Sequence, residues 1–139
     1  MLSLQEISDR LEIQQLLAAY STAVDGGRFE ELEDFFTDDA VIDLSATGGP
    51  YGPCGEVTSW MSETLSGFGG YMHVLSSTDL RLDGDAATAR TACINPLVLD
   101  ADSKAVYLIC FWYDDEFVKT GDGWRFRSRS QIKCLDKLL

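Results

Sequence analysis

The sequence predicts a single α+β domain in which a curled, mostly antiparallel sheet wraps around helices near the N-terminus. Apolar residues recur at helical spacing as far as Leu65, whereas strand-like segments separated by turn residues follow from Tyr71 onward. Helices that come first and hairpins that come last are typical of α+β domains. The 139 residues, 45% of them hydrophobic, suffice for one core, so residues 1–139 are expected to form one domain.

The first helix is predicted by a capping box, Ser3-Leu4-Gln5-Glu6, and by apolar residues at helical spacing up to Val24. Gly26-Gly27 ends this helix, because glycine adopts the left-handed cap conformation without penalty. A second, short helix is predicted by the apolar stripe Phe29, Leu32, Phe35 and Phe36.

A turn at Thr37-Asp38-Asp39 leads into a short predicted strand, Val41–Leu44. The glycine and proline residues of positions 48–53 indicate a loop. A third helix is predicted over Val57–Leu65, and the glycines between Gly67 and Gly70 end it.

Four longer strands complete the predicted sheet. Asn95-Pro96 predicts a bulge or kink in the second of them, because proline has no N–H to donate to a strand ladder. The third is apolar on both faces, which predicts a central strand covered by helices on one side and by a partner subunit on the other. The four strands are predicted over Met72–Leu82, Ala87–Leu99, Val106–Tyr113 and Trp124–Lys133.

The charge balance excludes some classes of partner. Eleven Lys and Arg residues against 23 Asp and Glu residues give a net charge of −12, which argues against nucleic acid and against an anionic membrane surface. No apolar run approaches the roughly 18 residues that a membrane span needs. The start of the sequence, MLSLQEISDR, lacks the pattern of a secretory signal, so a cytoplasmic location is expected.

The metal-ligating residue types are sparse. The four cysteines form no CxxC pair, and His73 is the one histidine of the chain, so a zinc site with several histidine ligands is excluded. Neither a metal nor a cofactor is expected. Any chemistry must then come from carboxylates, tyrosines, arginines and His73.

Three sequence patterns resemble the SnoaL-like branch of the NTF2-like superfamily over nearly the whole chain. One runs from Tyr20 through Asp25-Gly-Gly-Arg-Phe to Phe36-Thr-Asp-Asp-Ala-Val41. The others are Leu82-Asp-Gly-Asp-Ala-Ala87, followed by Arg90, and Gly123-Trp-Arg-Phe126. The resemblance implies a cone, in which a curled sheet surrounds a deep apolar pocket closed by helices. It also favours a trimer, with a dimer as the alternative, and a small apolar ligand. The family contains dehydratases, isomerases, hydrolases, cyclases and non-catalytic proteins, so its fold names no reaction.

Two subgroups resemble this chain in their site pattern, the bile-acid 7α-dehydratases and the hexachlorocyclohexane dehydrochlorinase. Both have an aspartate and a histidine at the positions of Asp25 and His73. The dehydratases have a tyrosine at the position of Tyr20, where the dehydrochlorinase has a lysine. The dehydrochlorinase has an arginine at the position of Arg129. The dehydratases add a second acid in the region where this chain has Asn95 and Pro96.

The resemblance implies a role for each of these side chains. His73 would act as general base, Asp25 would orient its ring, Tyr20 would assist a leaving oxygen or stabilise an enolate, and Arg129 would hold an anionic group. A structural alternative stays open for each residue. His73 is then a hydrogen-bonded structural histidine, Asp25 a solvated turn acid, Tyr20 a core aromatic, and Arg129 part of a solvated strand face.

Two geometric conditions bear on these roles. On an unbroken helix, Tyr20 and Asp25 would point about 140° apart, so both face one pocket only if the helix unwinds before Asp25. Alternation along the last strand groups Arg129 with Arg125 and Arg127. Arg129 therefore faces the pocket only if a bulge near Ser128 turns it inward or if all three arginines point inward.

The leading hypothesis is a cofactor-independent lyase of the dehydratase type, acting on a small apolar cyclic or polycyclic substrate. One alternative is an isomerase of the ketosteroid type, which uses the same base, and another is a non-catalytic ligand-binding module. The predicted pocket walls are aromatic or aliphatic and consist of Phe68, Tyr71, Leu97, Phe111 and Tyr113.

Overall fold

The computed structural model describes residues 1–102 and 104–139, and its elements follow the predicted order of helices before hairpins. Two α-helices and two short 3₁₀ segments alternate with the first strands, and a run of longer strands follows. The helices are α1 (Leu4–Asp25) and α2 (Cys54–Leu65), and the 3₁₀ segments are Phe29–Phe35 and Ser45–Thr47. The strands are β1 (Phe36–Asp43), β2 (Tyr51–Pro53), β3 (Gly70–Tyr71), β4 (Val74–Asp83), β5 (Ala86–Val98), β6 (Val106–Thr120) and β7 (Gly123–Leu138).

The strands form one sheet in the order β2-β1-β7-β6-β5-β3, and β4 pairs with a second stretch of β5. All pairs are antiparallel except β1 with β7. The sheet curls around α1 and α2, and the core lies between the helices and its inner face. The predicted α+β fold, a cone-like sheet around helices, is confirmed.

Helix α1 begins and ends as predicted. At its start, the Ser3 hydroxyl accepts from the Glu6 N–H at 3.1 Å, and the Ser3 N–H donates to the Glu6 carboxylate at 2.7 Å. At its other end Gly27 has a φ of +71°, a conformation that favours glycine. The helix is continuous through Asp25, so the unwinding that would let Tyr20 and Asp25 face one pocket does not occur.

Several boundaries differ from the prediction. Helix α2 begins at Cys54 rather than Val57, with Pro53 at its N-cap position, because proline is well tolerated at a helix start. Strand β1 begins at Phe36 and includes the predicted turn of Thr37 to Asp39. The β1–β7 register shifts between Phe36 and Val41, so these polar residues form an irregular stretch of strand instead of a turn.

The predicted bulge at Asn95-Pro96 is wrong, and the adjacent strand is interrupted instead. Strand β5 pairs with β6 from Ala86 to Val98 without a register shift. On its other side β3 ends at Tyr71 and β4 begins only at Val74. In this gap the Met72 N–H donates to the Pro96 carbonyl at 3.3 Å, and Asn95 Nδ2 donates to the Met72 carbonyl at 2.8 Å. His73 lies in the gap, so its N–H is available for another acceptor.

Strand β7 contains a bulge near Ser128, one of the two conditions under which Arg129 is expected to turn inward. Phe117 of β6 pairs with Phe126 and Glu116 pairs with Ser128, which leaves Arg127 as the extra residue of β7. After this extra residue, the inward and outward side chains of the strand alternate in the opposite order. Phe126 and Arg129 are therefore both buried, whereas Arg127 is exposed.

Strand β6 is central, as predicted, because it pairs with β5 and β7. Its inner face is buried against the core through Ile109, Phe111 and Tyr113, and the outer-facing Cys110 and Trp112 are half-buried.

No helix within residues 1–102 and 104–139 has both the length and the apolarity needed to cross a bilayer.

Candidate functional site

The C-terminal end of α1 and the gap between β3 and β4 bring Asp25 and His73 together. His73 Nδ1 lies 2.7 Å from Asp25 Oδ1. The backbone N–H of His73 also donates to the same carboxylate, with distances of 3.2 Å to Oδ1 and 3.0 Å to Oδ2. The His73 side chain is 7% exposed and that of Asp25 is 27% exposed. One carboxylate thus fixes both the backbone and the ring of His73.

This contact assigns the tautomer of the His73 ring. An ionised carboxylate accepts hydrogen bonds and donates none, so Nδ1 carries the proton shared with Asp25. In the neutral ring Nε2 is then unprotonated and free to accept a proton. The arrangement is the one a general base needs.

His73 lines a cavity of about 220 Å³ between α2 and the inner face of the sheet. The walls are mostly aliphatic and aromatic, with a few neutral polar groups. They are formed by Leu44, Thr47, Trp60, Met61, Thr64, Leu65, Phe68, His73, Asn95, Leu97, Leu99, Tyr107, Ile109, Phe111 and Gln131.

Three of the five predicted wall residues line this cavity, namely Phe68, Leu97 and Phe111. Tyr71 lies beside the cavity, with its hydroxyl donating to the Val24 carbonyl at 2.9 Å and its ring edge-on to that of His73. Tyr113 is fully buried behind Phe111, at a ring separation of 5.0 Å. Both tyrosines therefore support the walls without forming them.

Tyr20 is not brought to the cavity. It is buried in the core, where its hydroxyl points to the Met61 sulfur at 3.7 Å and its ring packs edge-on against Phe36, Tyr113 and Phe126. Burial raises the pKa of Tyr20 to about 12. Because α1 stays helical through Asp25, Tyr20 points into the core whereas Asp25 lies at the partly exposed end of the helix.

Arg129 is also separated from the cavity. Its side chain is 0% exposed, and its Nε lies 3.0 Å from Oδ1 of the equally buried Asp115. The guanidinium carbon lies 3.4 Å from the ring centre of Tyr113 and 4.2 Å from that of Tyr20. Burial raises the pKa of Asp115 to about 7, and Arg129 opposes this rise. The arginine is thus neutralised inside the core rather than presented to a ligand.

Sequence reasoning assigned none of the neutral polar residues that line the cavity, among them Asn95 and Gln131. Both are recoverable from strand alternation, because Asn95 lies two positions before the predicted wall residue Leu97 and Gln131 two positions after the inward-facing Arg129. The Gln131 amide contacts the Thr47 hydroxyl. Tyr107 lies at the same cavity and donates from its hydroxyl to Asp136.

The cavity walls include no Asp, Glu, Lys or Arg among the described lining residues. Asp25 is not a lining residue, and it contacts the lining residue His73. In residues 1–102 and 104–139, no three His, Cys, Asp or Glu side chains are grouped so as to hold a metal ion.

The sequence and the fold are similar to those of several known proteins. A family model described as a SnoaL-like domain matches residues 5–130. The uncharacterized protein Rv2910c of Mycobacterium tuberculosis is 48% identical over 139 residues, which span 100% of this chain and 95% of that protein.

Two solved structures have the same fold. A protein of Kribbella flavida superposes with a TM-score of 0.84 at 27% identity, covering 94% of this chain and 93% of that one. The hexachlorocyclohexane dehydrochlorinase LinA-type3 of Novosphingobium barchaimii superposes with a TM-score of 0.85 at 17% identity, covering 98% and 93%.

Proposed function

Since the chain belongs to the SnoaL-like family, we propose that it is a cofactor-independent lyase of the dehydratase type. The observation that carries the proposal is the 2.7 Å contact of Asp25 with His73 at the wall of an apolar cavity. The fold shared with a dehydrochlorinase, an enzyme that by its name performs an elimination, supports the same reaction class.

In the proposed reaction, His73 Nε2 removes a proton from a carbon next to a carbonyl group. Asp25 stabilises the imidazolium that forms, as the aspartate does in hydrolase triads. The C–O bond of a hydroxyl on the neighbouring carbon then breaks, and a C=C bond forms. The imidazolium returns its proton to the departing oxygen, so the products are an unsaturated carbonyl compound and water.

The proposal assigns the other predicted residues to the support of the cavity. Tyr20 holds Met61, which lines the cavity, through its hydroxyl contact with the sulfur. Arg129 packs on Tyr113, which in turn packs on Phe111. Neither residue touches the substrate in this account.

The cavity volume limits the size of the substrate. Pockets for drug-sized ligands span roughly 300 to 1,000 Å³, whereas this cavity measures about 220 Å³. We therefore propose a substrate of one or two rings rather than a larger polycycle.

Exposed apolar side chains on the outer face of the sheet support a homo-oligomer as part of the proposal. Ile94, Ile132 and Leu135 lie on the outer face of β5 and β7 and are 48%, 39% and 51% exposed. They flank the half-buried outer residues of β6, because Ile94 and Leu135 pair with Cys110 and Ile132 pairs with Trp112. We propose that a second copy of the chain covers this outer apolar face.

The free cysteines support our proposal of a reducing, cytoplasmic compartment.

The test follows proton abstraction with simple compounds that fit the cavity. Exchange of the α-protons of cyclohexanone with D₂O reports the base, and conversion of 3-hydroxycyclohexanone to 2-cyclohexenone reports the elimination of water. We expect His73→Gln to slow both by about 10² to 10⁴ and Asp25→Asn by at least about tenfold. Asp79→Asn, at an exposed carboxylate of β4, serves as the matched control.

The outcomes separate the alternatives. Conversion of 3-cyclohexenone to 2-cyclohexenone with solvent deuterium incorporated, without loss of water from the hydroxy ketone, would establish an isomerase instead. Binding of these ketones without exchange or turnover would establish the ligand-binding module, which Asn95 favours because it stands where the dehydratases have a second acid.

A further inference from the structure

The amide of Asn95 is held in one orientation at the wall of the His73 cavity. Its Nδ2 donates to the Met72 carbonyl at 2.8 Å, and the residue is buried. Because a carbonyl oxygen accepts hydrogen bonds and donates none, this contact identifies which end of the amide faces Met72. The other end, Oδ1, has no hydrogen-bond donor among residues 1–102 and 104–139.

We infer that Asn95 selects the substrate by accepting a hydrogen bond from a hydroxyl group of an uncharged ring compound. The inference deepens the proposed function, on which it rests for the identity of the site. It assigns to Asn95 a binding role and no part in proton abstraction.

The position of Asn95 places this acceptor near the base. Asn95 binds the carbonyl of Met72, the residue that precedes His73, and both Asn95 and His73 line the same cavity. A ring bound in this cavity contacts a wall that contains both residues, so we infer that one ligand meets His73 Nε2 and the Asn95 oxygen together. The His73 ring and the Asn95 amide then act on neighbouring parts of one ligand.

The remaining walls exclude a charged ligand. Besides His73 and Asn95, the lining side chains with polar groups are neutral, namely Thr47, Trp60, Thr64, Tyr107 and Gln131. A carboxylate or phosphate moved into such walls loses its hydration without gaining a Lys or Arg partner, at a large cost in free energy. Arg129 cannot compensate, because it lies in the core with Asp115.

An acceptor of this kind discriminates between closely related ligands. A site that binds a hydroxyl favours it over an analogue without the donor, because the analogue forfeits the hydrogen bond to the acceptor. A single neutral hydrogen bond corresponds to an affinity ratio of about three- to tenfold.

The test compares three probes on one two-ring skeleton. 1-Naphthol offers a hydroxyl donor, 1-methoxynaphthalene has the same oxygen without the donor, and 1-naphthoate is an anion. Dissociation constants are measured by calorimetry, and the NMR signals of the single histidine report that the probe occupies the His73 cavity. We expect the protein to bind 1-naphthol about three- to tenfold more tightly than its methyl ether and to bind 1-naphthoate least.

Variants at position 95 separate recognition from a merely structural role. Asn95→Leu removes the acceptor, and we expect it to abolish the preference for 1-naphthol while the affinity for the methyl ether is retained. Asn95→Asp keeps an acceptor and should keep the preference. Gln14→Leu replaces an exposed amide of α1 by the same side chain and serves as the matched control.

Three results would overturn the inference. They are equal affinities of the wild-type protein for 1-naphthol and its ether, equal weakening of both by Asn95→Leu, and failure of both neutral probes to shift the histidine signals. The failure of the proposed function is distinguishable, because His73-dependent exchange of ketone α-protons is measured independently of this preference.

Discussion

His73 and Asp25 are 48 positions apart in the sequence, yet the carboxylate of Asp25 accepts hydrogen bonds from both the ring and the backbone of His73. The contact depends on two local features. The glycines after Asp25 end α1 at the carboxylate, and the gap between β3 and β4 frees the His73 N–H from the strand ladder. The double contact fixes the ring more firmly than a single hydrogen bond to Nδ1 would.

Removal of the Tyr20 hydroxyl tests whether this residue takes part in chemistry. We expect Tyr20→Phe to change the rate of α-proton exchange by no more than about threefold, because the hydroxyl is buried in the core against the Met61 sulfur, a weak acceptor, and Tyr20 does not line the cavity. A loss of about 10² or more, the range of acid–base catalysis, would instead make Tyr20 a catalytic residue. His73→Gln provides the reference for a full loss.

The buried pair of Arg129 and Asp115 is expected to matter for folding. Both side chains are 0% exposed, and removal of one partner of such a pair leaves an uncompensated buried charge, which costs about 3–5 kcal/mol. We expect Arg129→Met to lower the free energy of unfolding in urea by this amount. The double variant Arg129→Met with Asp115→Leu should recover much of the loss. Equal destabilisation by Arg129→Met and by Arg127→Met, at the exposed bulge residue, would contradict this account.

Asp9 makes stability depend on pH. Hydrogen bonds from the Trp124 indole and from Lys119 lower the pKa of Asp9 below its ordinary value. A carboxyl with a lowered folded-state pKa contributes stability that is present above its unfolded pKa, near 3.9, and is lost as the pH falls through the folded value. We expect the melting temperature of the wild-type protein to fall below about pH 4 more steeply than that of Asp9→Asn. Asp38→Asn, at an exposed carboxylate of β1, should behave like the wild type.

The outer face of the sheet provides a test of self-association. Ile132 lies on this face beside Trp112 and is 39% exposed. If a second copy covers the face, a charge at this position is buried without a partner and association is lost. We expect sedimentation equilibrium to show a dimer or trimer for the wild type and a monomer for Ile132→Asp. A monomeric wild type would refute the interface.

Much of the fold was predictable because it depends on local signals. The capping box at Ser3, the glycines after Asp25 and the apolar periodicity of α1 act within a few residues, and the predicted helix matches the structure. The turn predicted at Thr37 to Asp39 was wrong because these residues lie in an irregular stretch of β1, between the points at which Phe36 and Val41 pair with the distant strand β7. Pro96 predicts an interruption of the strand pairing, but the sequence does not show whether β5 or the neighbouring strand is interrupted.

The site was predictable only in part. His73 and Asp25 followed from the family resemblance, and the structure brings them into contact. The sequence shows that Arg129 turns inward if a bulge intervenes, but it cannot show that Asp115 neutralises the arginine there, since this depends on the register of β6 and β7. Asn95 was noted only as part of a predicted kink and as a departure from the dehydratase pattern, because its contact with Met72 exists only in the folded chain.

The most direct test of the central claim uses the ring nitrogens of His73, the one histidine of the chain. ¹⁵N–¹H correlation spectra, recorded at a pH at which the ring is neutral, distinguish a protonated ring nitrogen from an unprotonated one. We predict a proton on Nδ1 and an unprotonated Nε2 in the wild-type protein, a loss of this preference in Asp25→Ala, and no change in Asp79→Asn. A proton on Nε2 in the wild type, or a tautomer that Asp25→Ala leaves unchanged, would contradict the assignment of His73 as a base oriented by Asp25.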